Sequence, residues 1–156
     1  MISPELLRRY PFFGTLDDAQ LKQIAMLAEE ETILKGTTIF SERASADTLC
    51  VLMTGSVDLF FHSAEEFHPK QSKELFAGEI NPGEVFGISA LVEPYILAAS
   101  ARAAKDCTVI KIDAVALRSL LKQNAALGCL LMVQIAQTLN SRLNAARVQL
   151  AAAWAA

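Results

Sequence analysis

The side chains best suited to metal or nucleophilic chemistry are few: 2 histidines and 3 cysteines in 156 residues. His62 and His68 flank Glu65-Glu66, and two imidazoles with two carboxylates are chemically able to hold zinc or iron. Residues 62–73, however, are a polar stretch between apolar runs, a hairpin loop by pattern, and there is no third histidine to complete a site. A solvated loop is expected there, with no metal. Cys50, Cys107 and Cys129 form no C-x-x-C pair, and each lies in an apolar run, so they read as core packing. An odd set of unpaired thiols fits neither a disulfide framework nor a structural zinc site, and it suits a reducing cytoplasm. The H-E-x-x-H, G-x-S-x-G and phosphate-loop patterns do not occur. No catalytic residue is expected.

The elements that would position any other chemistry follow from composition and period. At 156 residues, 53% hydrophobic and 20% charged, with 7 Gly and 5 Pro, the chain has the length and makeup of one ordinary domain with its own core. Its net charge of −3 and pI near 5.4 speak against binding nucleic acid through bulk positive charge. No apolar run approaches the roughly 18 residues of a membrane span, and the first residues lack the pattern of a secretory signal. A mean hydropathy of +0.32 is high for so small a domain and points to a second buried face, against another subunit.

Ser3-Pro4-Glu5 has the order of a helix start, and Thr15-Leu16-Asp17-Asp18 fits a capping box. Leu21, Ile24, Ala25 and Ala28 then share a helical face on a helix expected to end near Glu29-Glu30-Glu31. From Thr32 to Ile112 the pattern changes to short β-branched or aromatic runs punctuated by Gly36, Gly55, Gly78, Pro82-Gly83 and Gly87, the signature of a sandwich, jelly roll or barrel. Helix returns after Asp113 and again after Asn124, both suited to capping. In the last and longest helix Met132, Ala136, Leu139, Leu143, Ala146, Leu150 and Ala153 step by 4, 3, 4, 3, 4, 3, an a/d seam fit for a second helix. Leu127, Leu130, Leu131 and Ile135 form another stripe, left for the chain's own β-structure, and Trp154 reads as an interface anchor. The expected fold is α+β and a single domain: N-terminal helices over 1–31, an antiparallel jelly-roll-like β-roll over 32–112, and two C-terminal helices over 113–156.

That order resembles the cyclic-nucleotide-binding domain of the catabolite-activator family, and several segments carry the resemblance. Pro11-Phe12-Phe13-Gly14-Thr15-Leu16 resembles the entry to its N-terminal helix, and Lys35-Gly36-Thr37-Thr38-Ile39-Phe40-Ser41-Glu42 its strand-opening G-x-x-I-F-x-E. Leu49-Cys50-Val51-Leu52-Met53-Thr54-Gly55-Ser56-Val57 is similar to its glycine-marked hairpin, and Asn81-Pro82-Gly83-Glu84-Val85-Phe86-Gly87 to the approach to its phosphate-binding cassette. Arg102-Ala103 and Val109-Ile110-Lys111-Ile112-Asp113 match its exit strands. The resemblance implies a ligand-sensing or regulatory module whose pocket is formed by Phe86, Gly87, Ile88, Ser89, Ala90, Leu97, Ala98 and Ala99. It also implies a homodimer through Met132, Ala136, Leu139, Leu143, Ala146 and Leu150. A regulator of this family adds a helix-turn-helix domain after the long helix; this sequence stops at Ala156, so direct DNA binding is not expected.

The family's cassette holds a glutamate that accepts from the ribose 2′-hydroxyl and an arginine that pairs with the cyclic phosphate. Ile88 and Leu97 stand in those two places. Losing one partner of a desolvated, hydrogen-bonded charge pair costs roughly 2–5 kcal/mol. At about 1.4 kcal/mol per decade, that weakens binding by about thirty-fold to several thousand-fold. The lost ribose acceptor adds roughly 1–3 kcal/mol. The amides that open the short helix at residues 87–89, with Ser89 and Ser100, are too little to compensate. Arg43 could offer a substituted cation from a turn, while Arg102 is expected to serve an ion pair. Tight binding of cyclic AMP or cyclic GMP is therefore not expected, nor any other cofactor. The pocket should take an apolar or weakly polar small molecule or be filled by its own side chains. In the second case the chain would be a dimeric adaptor for a protein partner.

Overall fold

The computed structural model describes residues 1–63 and 73–155. Glu65, Glu66 and His68, three of the four loop residues considered for a metal, lie outside the described residues.

Helix α1 (Pro4–Arg8) starts as the sequence suggests: the Ser3 hydroxyl accepts from the Glu5 N–H at 3.2 Å, and Pro4 occupies the first turn. A 3-10 turn at Pro11–Phe13 buries Phe12 and Phe13. Helix α2 (Asp18–Ala25) is capped two residues later than expected, by Asp17 in place of Thr15. Asp17 accepts from the Gln20 N–H at 2.8 Å, and the Gln20 side chain reaches back to the Asp17 N–H at 3.0 Å. Gln20, three residues beyond Asp17, is long enough for that return bond, and the pair completes the box.

Helix α2 ends at Ala25, and the segment expected to close it is strand β1 (Ala28–Ile33). The helical part is therefore shorter than 1–31. Alanine and glutamate favour helix, but the three consecutive glutamates pair antiparallel with β8 (Cys107–Asp113), and Lys111 bonds Glu31 at 2.7 Å. Tertiary pairing overrides local preference at this point. The other strands are β2 (Thr38–Phe40), β3 (Thr48–Thr54), β4 (Val57–Ser63), β5 (Lys73–Ile80), β6 (Val85–Phe86) and β7 (Ser100–Ala103). They form two four-stranded antiparallel sheets, ordered β1-β8-β3-β6 and β2-β7-β4-β5.

Strands β3 and β8 are buried on both faces, which explains why they read as unbroken apolar runs, whereas Glu29 to Thr32 of β1 are exposed. Cys50, Leu52, Cys107 and Val109 pack with Val57, Ile80, Ala101 and Ala103 of the other sheet. Leu49, Val51, Ile110 and Ile112 pack on the opposite side with Phe13, Leu21, Leu117 and Leu127. Alternating directions along a strand thus supply two cores.

Helix α3 (Ala114–Gln123) is capped by Asp113, whose carboxylate accepts from the Ala116 N–H at 3.1 Å. Asn124 caps α4 (Ala125–Ala155) by accepting from the Leu127 N–H at 3.1 Å. With 31 residues, α4 is roughly 46 Å long. Leu127, Leu131 and Ile135 are buried, whereas Met132, Ala136, Leu139, Leu143, Ala146 and Leu150 are exposed in the single chain.

Gly55 (φ +99°) makes the tight turn between β3 and β4, where a Cβ would stand 2.5 Å from the Asp106 carbonyl oxygen and 2.7 Å from the Cys107 sulfur. Gly36 also has positive φ (+86°) but nothing within 4 Å of such a Cβ. Gly55→Ala should therefore lower stability by more than about 2 kcal/mol and Gly36→Ala by only about 1, measured by urea unfolding.

Candidate functional site

Strand β6 delivers the chain to Gly87, whose φ of +72° turns it into a 3-10 turn at Ile88–Leu91. A Cβ on Gly87 would lie 3.1 Å from the Thr48 carbonyl oxygen and 3.4 Å from the Phe40 ring, so space and conformation both require glycine. Phe86 is buried, its ring 5.9 Å from that of Phe40. Residues 95–97 are tied to the loop at 43–46. The Arg43 N–H donates to Leu97 O at 2.8 Å, the Leu97 N–H to Ala44 O at 2.9 Å, and the Ala46 N–H to Tyr95 O at 2.8 Å.

This frame places the two aliphatic replacements inside. Ile88 is 7% exposed and Leu97 5%, and both belong to the helix-side hydrophobic core with Ala46, Ala90 and Leu91. Ser89 and Ala99 are half-buried, and Ala98 is exposed. The Ser100 hydroxyl accepts from the Glu42 N–H at 2.9 Å.

The cation expected to serve an ion pair does so. Arg102 donates to both carboxylate oxygens of Glu74, at 2.9 and 3.0 Å, and its guanidinium lies 4.6 Å from the centre of the Phe60 ring. Those hydrogen bonds hold the Glu74 carboxyl below the usual carboxylate range. His62 bonds Glu42 and lies 3.8 Å from Glu74, so it joins these two carboxylates in one polar cluster. Arg43 sits in a left-handed turn, φ +69°. Burial pushes the Cys50 thiol up to about 11, which leaves it protonated and unreactive near neutral pH. Among the described residues no group of three His, Cys, Asp or Glu side chains could hold a metal ion.

Two arginines at the site escaped the sequence reading. Arg118 of α3 donates to Ala90 O at 2.8 Å and to Ala46 O at 3.3 Å, and its guanidinium lies 4.2 Å from the centre of the Tyr95 ring. It fastens the cassette to α3. Arg142 of α4 donates to the carbonyl of Val85, just before the cassette. Their partners are 28 to 72 residues away in the chain, so no local pattern reveals them.

The cyclic nucleotide-binding domain model matches residues 30–124, more than half of the chain and the whole cassette. The chain belongs to this family. As a member of the cyclic nucleotide-binding domain family it has the β-roll fold of ligand-sensing regulatory modules. A Geobacter metallireducens protein described as cyclic nucleotide-binding is 40% identical at a TM-score of 0.79, the match covering 92% of this chain and 99% of that one. The N-terminal domain of a Streptomyces coelicolor transcriptional regulator is 26% identical at a TM-score of 0.67, covering 90% and 94%. The catabolite activator protein of Thermus thermophilus shares the fold at 22% identity and a TM-score of 0.68, covering 90% of this chain and 61% of that one. No curated protein matches the chain. No helix among the described residues is long and apolar enough to cross a membrane.

Arg118→Met removes the donor to the carbonyls of Ala90 and Ala46 and should cost roughly 1.5–3 kcal/mol in urea unfolding. Arg118→Lys, which keeps a charged donor, should recover part of the loss.

Proposed function

We propose that this family member is a non-enzymatic regulatory module whose cassette does not hold cyclic AMP or cyclic GMP tightly, and whose response passes through α4. The burial of Ile88 and Leu97, at 7% and 5% exposure, carries the reading. A cyclic phosphate in that place would meet aliphatic carbon where the family supplies a guanidinium, and it would lose its hydration without gaining a partner. Residues 86–90 and 97–99 then act as a packed floor instead of an anion seat, admitting only an apolar small molecule by displacement of their own side chains.

Two contacts support a link from this floor to the helices. Arg118 joins the cassette to α3, and Arg142 joins the strand that feeds the cassette to α4. A ligand that favours one arrangement of those contacts shifts α4 by its differential affinity for the two states. The outer face of α4 supports pairing with a second copy of the chain. Leu139 and Leu143, at 46% and 49% exposure, lie on a seam with Met132, Ala136, Ala146 and Leu150 that is exposed among the described residues.

The same burial of Ile88 and Leu97 also favours a second reading, a dimeric adaptor whose former pocket plays no part. Native mass spectrometry separates the two: a co-purified small molecule supports the sensor, and an empty, heat-stable dimer the adaptor.

Calorimetric titration with cyclic AMP and cyclic GMP should give no saturable binding in the micromolar range; a micromolar dissociation constant for either overturns the proposal. Leu139→Asp combined with Leu143→Asp should convert a dimer to a monomer by light scattering. An unchanged mass would mean that these leucines are not the interface.

A further inference from the structure

Strand β1 is a regular, open edge of this fold. It ends its sheet, and its 6 residues pair with β8 without a shift in register, from Ala28 opposite Ile112 to Ile33 opposite Cys107. The other sheet edges are blunted. Strand β6 has 2 residues, β2 has 3, and β5 carries an extra residue, Ala77, between the partners of Leu59 and Phe60. The Asp113 N–H donates to Leu27 O at 3.1 Å, which sets the phase of the β1–β8 ladder. Residues 29, 31 and 33 therefore exchange hydrogen bonds with β8, and the N–H and C=O of Glu30 and Thr32 point away from it. No backbone partner among the described residues takes those four groups, and Glu29 to Thr32 are exposed.

The side chains around this edge are acidic and apolar. Glu29 and Glu31 project from one face of the strand and Glu30 from the other. Glu29 stands opposite Lys111, and Glu31 bonds that lysine at 2.7 Å. Among the described residues no ion pair engages Glu29 or Glu30. A cavity of about 740 Å3 beside the strand is lined by all three glutamates, Asp47 and Asp113, with Lys111 as its one basic side chain. Met26 and Val115, each 62% exposed, lie on its wall.

We infer that the β1 edge takes an extended segment of a partner protein as an added antiparallel strand, with arginine or lysine at alternate positions. The backbone of that segment pairs with Glu30 and Thr32, whose outward groups supply the affinity of strand addition. Its residues opposite Glu29 and Glu31 then fall in the closely spaced pairs that exchange no hydrogen bonds, where side chains meet, and a cation there gains an opposite charge across the strands. The stems of such long cations cover Met26 and Val115 while their heads reach the carboxylates. A second copy of the chain is the wrong occupant, because antiparallel registers centred on Glu30 or Glu31 set glutamate opposite glutamate. Strand β1 shares no residue with the cassette or with α4, so docking here is separate from whatever the cassette holds.

The test is fluorescence anisotropy with the full chain, at low ionic strength, of a labelled octapeptide that alternates arginine and valine and is blocked at both ends. It should bind saturably in the submillimolar range and weaken as salt is added. An arginine–proline octapeptide keeps the charge but lacks the N–H groups that would meet the Glu30 and Thr32 carbonyls, and should bind about tenfold more weakly or worse. A glutamate–valine octapeptide should not bind. Glu29→Gln combined with Glu31→Gln should weaken binding of the arginine–valine peptide roughly tenfold. Thr32→Pro removes an N–H that faces outward while keeping every bond to β8, and should weaken it roughly three- to tenfold. No binding of the arginine–valine peptide, equal binding of the arginine–proline peptide, or binding unchanged in either variant overturns the inference. A fall in the mass of the chain by light scattering in Thr32→Pro makes a second copy the occupant and also overturns it.

Discussion

A charge can enter an apolar core only if a partner waits there, and at residues 88 and 97 this chain removes the need by carrying no charge at all. Around that choice the cassette keeps its shape. Gly87 still takes the left-handed turn, the 3-10 turn still follows, and the 95–97 segment still pairs with the 43–46 loop. What changes is the interior of the shape, where Ile88 and Leu97 join the core that Phe13, Leu21 and Leu127 also build. The cassette thus contributes Ile88, Ala90, Leu91 and Leu97 to a hydrophobic core.

With no ligand charge at the centre, the ties between cassette and helices are protein groups: Arg118 on the carbonyls of Ala46 and Ala90, and Arg142 on that of Val85. Both are charged donors that span different elements, and such bonds are stronger than those between neutral groups. The buried stripe of α4 stops at Ile135, and its later apolar residues are exposed in the single chain.

Much of the fold was legible before the structure. Strands β3, β4 and β8 follow from β-branched and aromatic runs, and Asp113 and Asn124 cap the helices they were expected to cap. Strand β1 was misread because Ala28 and three glutamates favour helix locally, and only pairing with β8 makes them a strand. The α2 cap was misplaced by two residues because Thr15 and Asp17 both suit the position, and the reach of Gln20 decides between them. At the site, glycines at fixed spacing marked Ile88 and Leu97 as the positions to compare with the family's two charged residues. Arg118 and Arg142 were not, because a helical arginine looks the same in sequence whether it meets solvent or a distant carbonyl.

The central claim is that two aliphatic side chains close the phosphate seat, and restoring the missing groups tests it most directly. Calorimetric titration of cyclic AMP into the unaltered chain and into Ile88→Glu/Leu97→Arg compares the two cassettes on one scaffold. The account predicts saturable binding in the double variant and none in the unaltered chain over the same concentrations. Equal binding by both, or binding by the unaltered chain alone, would contradict it.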